Sequence, residues 1–134
     1  MSNIVLVVVA HADDEVLGCG GTIARHVSQG DYVHLVIMTN GVGSRSDAVL
    51  LDIQSRAAAS ENAAKILGIS SLKTLNFPDN ALDTVSLLEI AKELESLVKS
   101  LRPKIVYTHH YGDLNIDHRR TQEAVMIACR PHPG

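Results

Sequence analysis

The chain has 134 residues, enough for one domain, and a chain of this size can bury roughly two-thirds of the surface its unfolded form exposes. Its 12 basic and 15 acidic residues give a net charge of −3, there is no basic block, and aromatic content is only 3%, so nucleic-acid binding has little support. The longest apolar run is about seven residues against the ~20 a bilayer span needs, the start lacks a basic region and a small-residue cleavage site, and Cys19 and Cys129 form no CxxC pair; the default setting is a reducing cytoplasm.

A strand is predicted over residues 3–9, whose run from Ile4 to Val9 is continuously apolar and mostly β-branched, as in a strand covered on both faces. A helix is predicted over 16–29, ending near Gly30, followed by a second strand over 31–39 that closes at the turn signal Asn40-Gly41. Residues 41–47 read as a polar loop. Residues 48–67 are rich in Ala and Leu and stop at Gly68, as a helix does. A third strand is predicted over 72–77, then a loop over 78–83. Leu87, Ala91, Leu94, Val98 and Leu101 form one apolar stripe in a helix over 84–101 that ends before Pro103. A fourth strand is predicted over 104–110 and a last helix over 118–130. Strands alternating with helices predict an α/β fold, a mostly parallel sheet with helices on both faces. The chain stops directly after a helix, so residues 1–134 are expected to form a single domain whose C-terminal part lies beyond Gly134.

Seven histidines is a high count for this length, and His109, His110 and His118 fall within ten residues. In an open parallel sheet, ligands gather beyond the carboxyl ends of the strands at a topological switch point. His11 follows the first strand, and His109 and His110 end the predicted fourth. If those strands are neighbours, the two polar clusters meet in one crevice. His11 and Asp14 are spaced to hold one ion from the same side, and His118 supplies a third ligand; two histidines, one carboxylate and an open fourth position suit catalytic zinc. A metal lowers the pKa of its water from 15.7 to roughly 7, and Asp13 stands beside it as a general base. Asp117 can orient a ligand imidazole from behind.

Other readings of the same residues stay open. The acids at 13–15 also suit a helix N-terminus, and the second cluster also suits a solvated loop. His26 and His34 read as structural or surface residues. Cys19 reads as a small packing residue, with a place near a helix start that would lower its pKa. The glycines of "GCGG" at 18–21 do not make GxGxxG and are expected to permit close helix–sheet packing.

"AHADDE" at 10–15 resembles the AHPDDE signature of the PIG-L/LmbE-like zinc N-deacetylases, with Ala12 where proline is usual. "HHYGDLNIDHRRT" at 109–121 resembles that family's second metal motif, in the variant ending Asn-x-Asp-His. The resemblance runs over essentially the whole chain. It implies a Rossmann-like three-layer sandwich and hydrolysis of an acetamido group on a small N-acetylated sugar or glycoconjugate, with one zinc per chain. It implies that His11, Asp14 and His118 are the metal ligands and Asp13 the general base, with Asp117 supporting the histidines. Arg56 and Asp79 resemble substrate-contacting positions. Asn115 stands where some members carry a catalytic histidine: it can donate to an oxyanion but cannot shuttle a proton, a task left to His110 or to a histidine further along. The sugar and its carrier are open, as is a homo-oligomer. Arg45, and the loops at 41–47 and 78–83, are placed at the mouth of the site, where selectivity would lie.

Overall fold

The computed structural model describes residues 1–41 and 50–132. Four strands alternate with four helices: β1 (Ile4–Val9), α1 (Asp14–Ser28), β2 (Tyr32–Thr39), α2 (Leu50–Leu67), β3 (Ser71–Phe77), α3 (Leu87–Leu101), β4 (Ile105–Tyr107) and α4 (Ile116–Ala128), with a 3₁₀ turn at Leu82–Thr84 before α3. The sheet order is β3-β2-β1-β4, and every pairing is parallel. This is the Rossmann-like three-layer arrangement.

The valine-rich β1 sits in the middle because both of its faces are covered. Leu6 and Val8 pack on one side with Ile90, Ala91 and Leu94 of α3 and Ala124, Val125 and Ala128 of α4. Val5, Val7 and Val9 pack on the other with Ile23, Val27 and Leu67 of α1 and α2. Such a strand needs an uninterrupted apolar run rather than an alternating one. The predicted stripe on α3 is the face it buries: Ala91 and Leu94 lie fully inside, and Leu87, Val98 and Leu101 lean on the same core. Ser86 starts that helix by accepting the Glu89 N–H at 3.1 Å.

The chain runs from β1 outward through β2 to β3. It then crosses back by α3 to place β4 on the other side of β1. β1 and β4 therefore flank a switch point, with Val5 opposite Ile105 and Val7 opposite Tyr107.

Three expectations need correction. β4 closes at Tyr107, so His109 and His110 lie in the loop beyond it rather than on the strand. The glycines at 18 and 21 do not serve helix–sheet packing, because a Cβ on either would meet nothing within 4 Å. They flank a break in α1, where Cys19 has φ −145° and ψ 23°. Burial raises the Cys19 thiol pKa instead of lowering it. Residues 42–47 of the predicted mouth loop, Arg45 among them, lie outside the described residues.

Candidate metal centre and active site

The site is built where β1 and β4 release the chain. His11 and Asp14 come from the turn into α1; His118 comes from the first turns of α4, which Asn115 starts. Asn115 is the N-cap of α4, its side-chain oxygen accepting from Asp117 N at 2.9 Å and His118 N at 3.2 Å. That cap fixes how His118 enters the site.

Three donor atoms converge. His11 Nδ1 lies 3.4 Å from Asp14 Oδ2, Asp14 Oδ2 lies 3.1 Å from His118 Nε2, and His118 Nε2 lies 3.3 Å from His11 Nδ1. Donors held at 2.0–2.1 Å by a tetrahedral ion stand about 3.3 Å from one another. The triangle has the size of one face of that tetrahedron.

The other atoms of these side chains are tied back. His11 Nε2 donates to Asp117 Oδ2 at 2.8 Å and lies 3.2 Å from Asp79 Oδ1. His118 Nδ1 donates to Asp113 Oδ2 at 2.9 Å. Each imidazole has a carboxylate behind it, which turns the opposite nitrogen toward the triangle, the usual support for a metal-ligating histidine. Asp14 Oδ2 also accepts the His11 backbone N–H at 2.9 Å, which holds the carboxylate in place.

Asp117 is fully buried, and besides His11 it accepts the N–H groups of Asn80 at 2.6 Å and Leu82 at 3.0 Å. One carboxylate thus clamps the loop at 78–83 to α4 and to the His11 ring in the turn after β1. Asp117 was expected to support the histidine chemistry; the ring it reaches is His11, while Asp113 serves His118.

The field is strongly negative. The hydrogen bond to Asp14 pushes His11 up to about 9; burial opposes it, and Asp117 and Asp79 add to it. Burial works to raise the Asp14 carboxyl, but its hydrogen bonds with His11 hold it below its usual value. His109 goes the other way, down to about 4, through burial and then the nearby His118. That neutral ring stacks on His118 with centroids 3.8 Å apart and accepts the Ala10 N–H on Nε2 at 2.9 Å.

Of the residues singled out in the sequence, His11, Asp14, His118, Asp117 and Asp79 come together. Asp13 is exposed directly beside them, at the N-cap of α1. Arg56 projects from α2 toward the end of β2, with Nη1 4.0 Å from where a Cβ on Gly41 would stand. His110 is exposed, accepts the Gly112 N–H at 3.0 Å and stacks on Tyr111. The sequence assigns no role to His109 or Asp113 individually, and to Glu15 only a place at a helix N-terminus. The hint for His109 was its place two residues past an apolar triplet; nothing marked which of the adjacent pair, His109 or His110, would turn inward.

Residues 6–129 match the PIG-L family, GlcNAc-PI de-N-acetylase. The chain belongs to this family. It is 37% identical to the uncharacterized deacetylase YaiS of Escherichia coli strain K12, over 96% of this chain and 69% of that protein. Among solved structures, the N,N'-diacetylchitobiose deacetylase of Pyrococcus horikoshii matches with a TM-score of 0.82 and 28% identity, over 95% of this chain and 49% of that one. The 4-carboxy-2-hydroxymuconate hydratase GalB of Pseudomonas putida KT2440 matches with a TM-score of 0.79 and 25% identity, over 96% of this chain and 55% of that one. The chain thus spans about half the length of these solved structures. No helix among the described residues is long and apolar enough to cross a membrane.

Proposed function

We propose that this chain is the metal-binding part of an N-deacetylase that removes the acetyl group from a small N-acetylated amino sugar or its conjugate. The observation that carries the reading is the triangle of His11 Nδ1, Asp14 Oδ2 and His118 Nε2, with edges of 3.1–3.4 Å. Two imidazoles and one carboxylate with an open side suit zinc in a catalytic role. When bound, the metal polarises a carbonyl oxygen and lowers the pKa of water toward about 7.

The residues then divide the remaining work. Asp13 takes a proton from the attacking water as its oxygen bonds to the acetyl carbon. The nitrogen receives that proton from Asp13 as the C–N bond breaks, and acetic acid and the amine leave, the acid's proton passing to the amine to give acetate and an ammonium. The Asn115 oxygen is committed to its cap, but its amide keeps two N–H donors for the developing oxyanion. Asp117 holds the His11 ring and Asp113 the His118 ring. Asp79, against His11, and Arg56, near Gly41, bound the space a sugar would fill. Proton return is assigned to Asp13; His110, whose Nδ1 accepts the Gly112 N–H, keeps Nε2 for the same task. Both cysteines are unpaired, which fits a cytoplasmic setting.

A second reading follows from the likeness to the muconate hydratase: the same ligand set and base would add water across a carbon–carbon double bond. One experiment separates the readings. Zinc is measured by elemental analysis in the purified chain and in His118→Ala, and the chain is offered acetamido sugars and an unsaturated tricarboxylate in parallel. About one zinc per chain, lost in the variant, with acetate released from a sugar, supports the deacetylase. Hydration of the tricarboxylate with no acetate would replace it. No zinc in either protein would overturn both.

A further inference from the structure

We propose that Glu15 is a positioning residue for Asp13, an inference that rests on the reading of Asp13 as the general base. The evidence is the way α1 begins. Ser86 and Asn115, the N-caps of α3 and α4, have extended backbones (φ −62°, ψ 138° and φ −73°, ψ 127°) and spend a side-chain oxygen on N–H groups of the first turn. That is what an N-cap ordinarily does. Asp13 does neither. Its φ is 92° and its ψ −22°, in the left-handed region, and its side chain makes no capping bond.

The helix-capping reading of Asp13 therefore fails on geometry, and its carboxylate is left outside the helix. Left-handed backbone is uncommon for residues with a side chain, although Asp and Asn adopt it more readily than most, and such conformations persist where the surroundings over-determine them. Two other described non-glycine residues share it: Asn80 in a turn and Arg102 at the C-cap of α3. Asp13 directly precedes a residue of the donor triangle, whereas Asn80 reaches it only through Asp117.

The conformation belongs to the third position of a turn over residues 11–14, closed by the Asp14 N–H on the His11 carbonyl at 3.3 Å, and Glu15 adds a side-chain hold on the same residue. The Glu15 side chain is 1% exposed, and Oε2 accepts the Asp13 backbone N–H at 3.1 Å. This is half of a capping box, made by the residue two places on rather than three, with the reciprocal bond missing. A carboxyl taken out of water needs such a partner. Its bond is made to the backbone of the base, not to a ligand atom, so Glu15 acts on the reaction through Asp13. The arrangement leaves Asp14 to the triangle and Asp13 to the water.

The test compares Glu15→Ala, Glu15→Asp and Glu15→Gln with Asp13→Asn in the zinc-loaded chain, using the acetamido sugar that the wild type hydrolyses. Glu15→Gln keeps an acceptor oxygen at the same reach; Glu15→Asp and Glu15→Ala do not. Zinc content and KM are expected to hold in all three, while kcat falls about a hundredfold in the Ala and Asp variants and recovers in Gln, the scale of a base displaced by about 1 Å. Amide hydrogen exchange at Asp13, which needs no substrate, should quicken in Ala and Asp and stay slow in Gln. Should Glu15→Ala fail to fold, the Asp and Gln pair carries the same comparison. Wild-type kcat in a folded, zinc-loaded Glu15→Asp, or equal loss in Asp and Gln, overturns the inference. Wild-type turnover in Asp13→Asn instead overturns the reading beneath it.

Discussion

Asp117 Oδ2 and His11 Nε2 meet at 2.8 Å across a sequence separation of 106 residues. The carboxylate is fully buried, and it also takes the N–H groups of Asn80 and Leu82. Asp117→Asn preserves shape and one acceptor oxygen but removes the charge that fixes the imidazole. Zinc affinity, measured by competition with a chromophoric chelator, should fall about 10–100-fold while the fold survives. Unchanged affinity would mean that Asp117 is a loop clamp and nothing more.

Thr121 lies three residues after His118, and its fully buried hydroxyl has no hydrogen-bond partner among the described residues. A buried hydroxyl without a partner costs about 1–3 kcal/mol. Thr121→Val, nearly the same shape, should therefore raise the unfolding free energy by about 1 kcal/mol in a urea titration. A loss of stability would show that the hydroxyl has a partner after all.

Two glycines should respond to alanine with opposite signs. Gly68 ends α2 with φ 78°, and a Cβ there would stand 2.7 Å from Val27 Cγ1. Gly68→Ala meets both left-handed strain and a clash with α1, and should cost about 2–4 kcal/mol. Gly21, in α1, faces open space. Gly21→Ala should instead stabilise by about 0.5–1 kcal/mol. Thermal unfolding of the two variants side by side reads the difference; a shift in the same direction for both would contradict the packing described.

Away from the site, Asp31 joins α1 to the sheet. It accepts from His26 Nδ1 at 2.7 Å and from Asn3 N at 2.9 Å, while His26 Nε2 meets the Tyr107 hydroxyl at 2.9 Å. The hydrogen bond to His26, then that from Asn3, holds the Asp31 carboxyl below its ordinary value. The stability it adds is therefore complete above the unfolded carboxylate pKa of about 4 and is lost as pH falls through the lower folded value. Unfolding followed from neutral pH into acid should show a shallower acid limb for Asp31→Asn than for the wild type. Superimposable slopes would remove Asp31 from the account.

Much of this was legible because local chemistry is written locally. The apolar run of β1, the stripe on α3 and the stop at Gly68 each follow from burial or backbone freedom within one element. The ligand candidates His11, Asp14 and His118 were legible as two clusters at the ends of strands, and as a family resemblance. Which of His109 and His110 turned inward was not legible. β4 closes at Tyr107, so strand alternation no longer governs either side chain.

The sequence by itself determined the order of elements, the membership of the core and the residue types offered to a metal, because periodicity and side-chain chemistry are properties of the chain. Only the tertiary structure decided which carboxylate stands behind which imidazole, that Asp79 leans on His11, and that Asp13 enters α1 left-handed under Glu15. The crossing of α3 back past β1 brings β4 and α4 to the end of β1, and contacts across 106 residues exist only once that crossing is made.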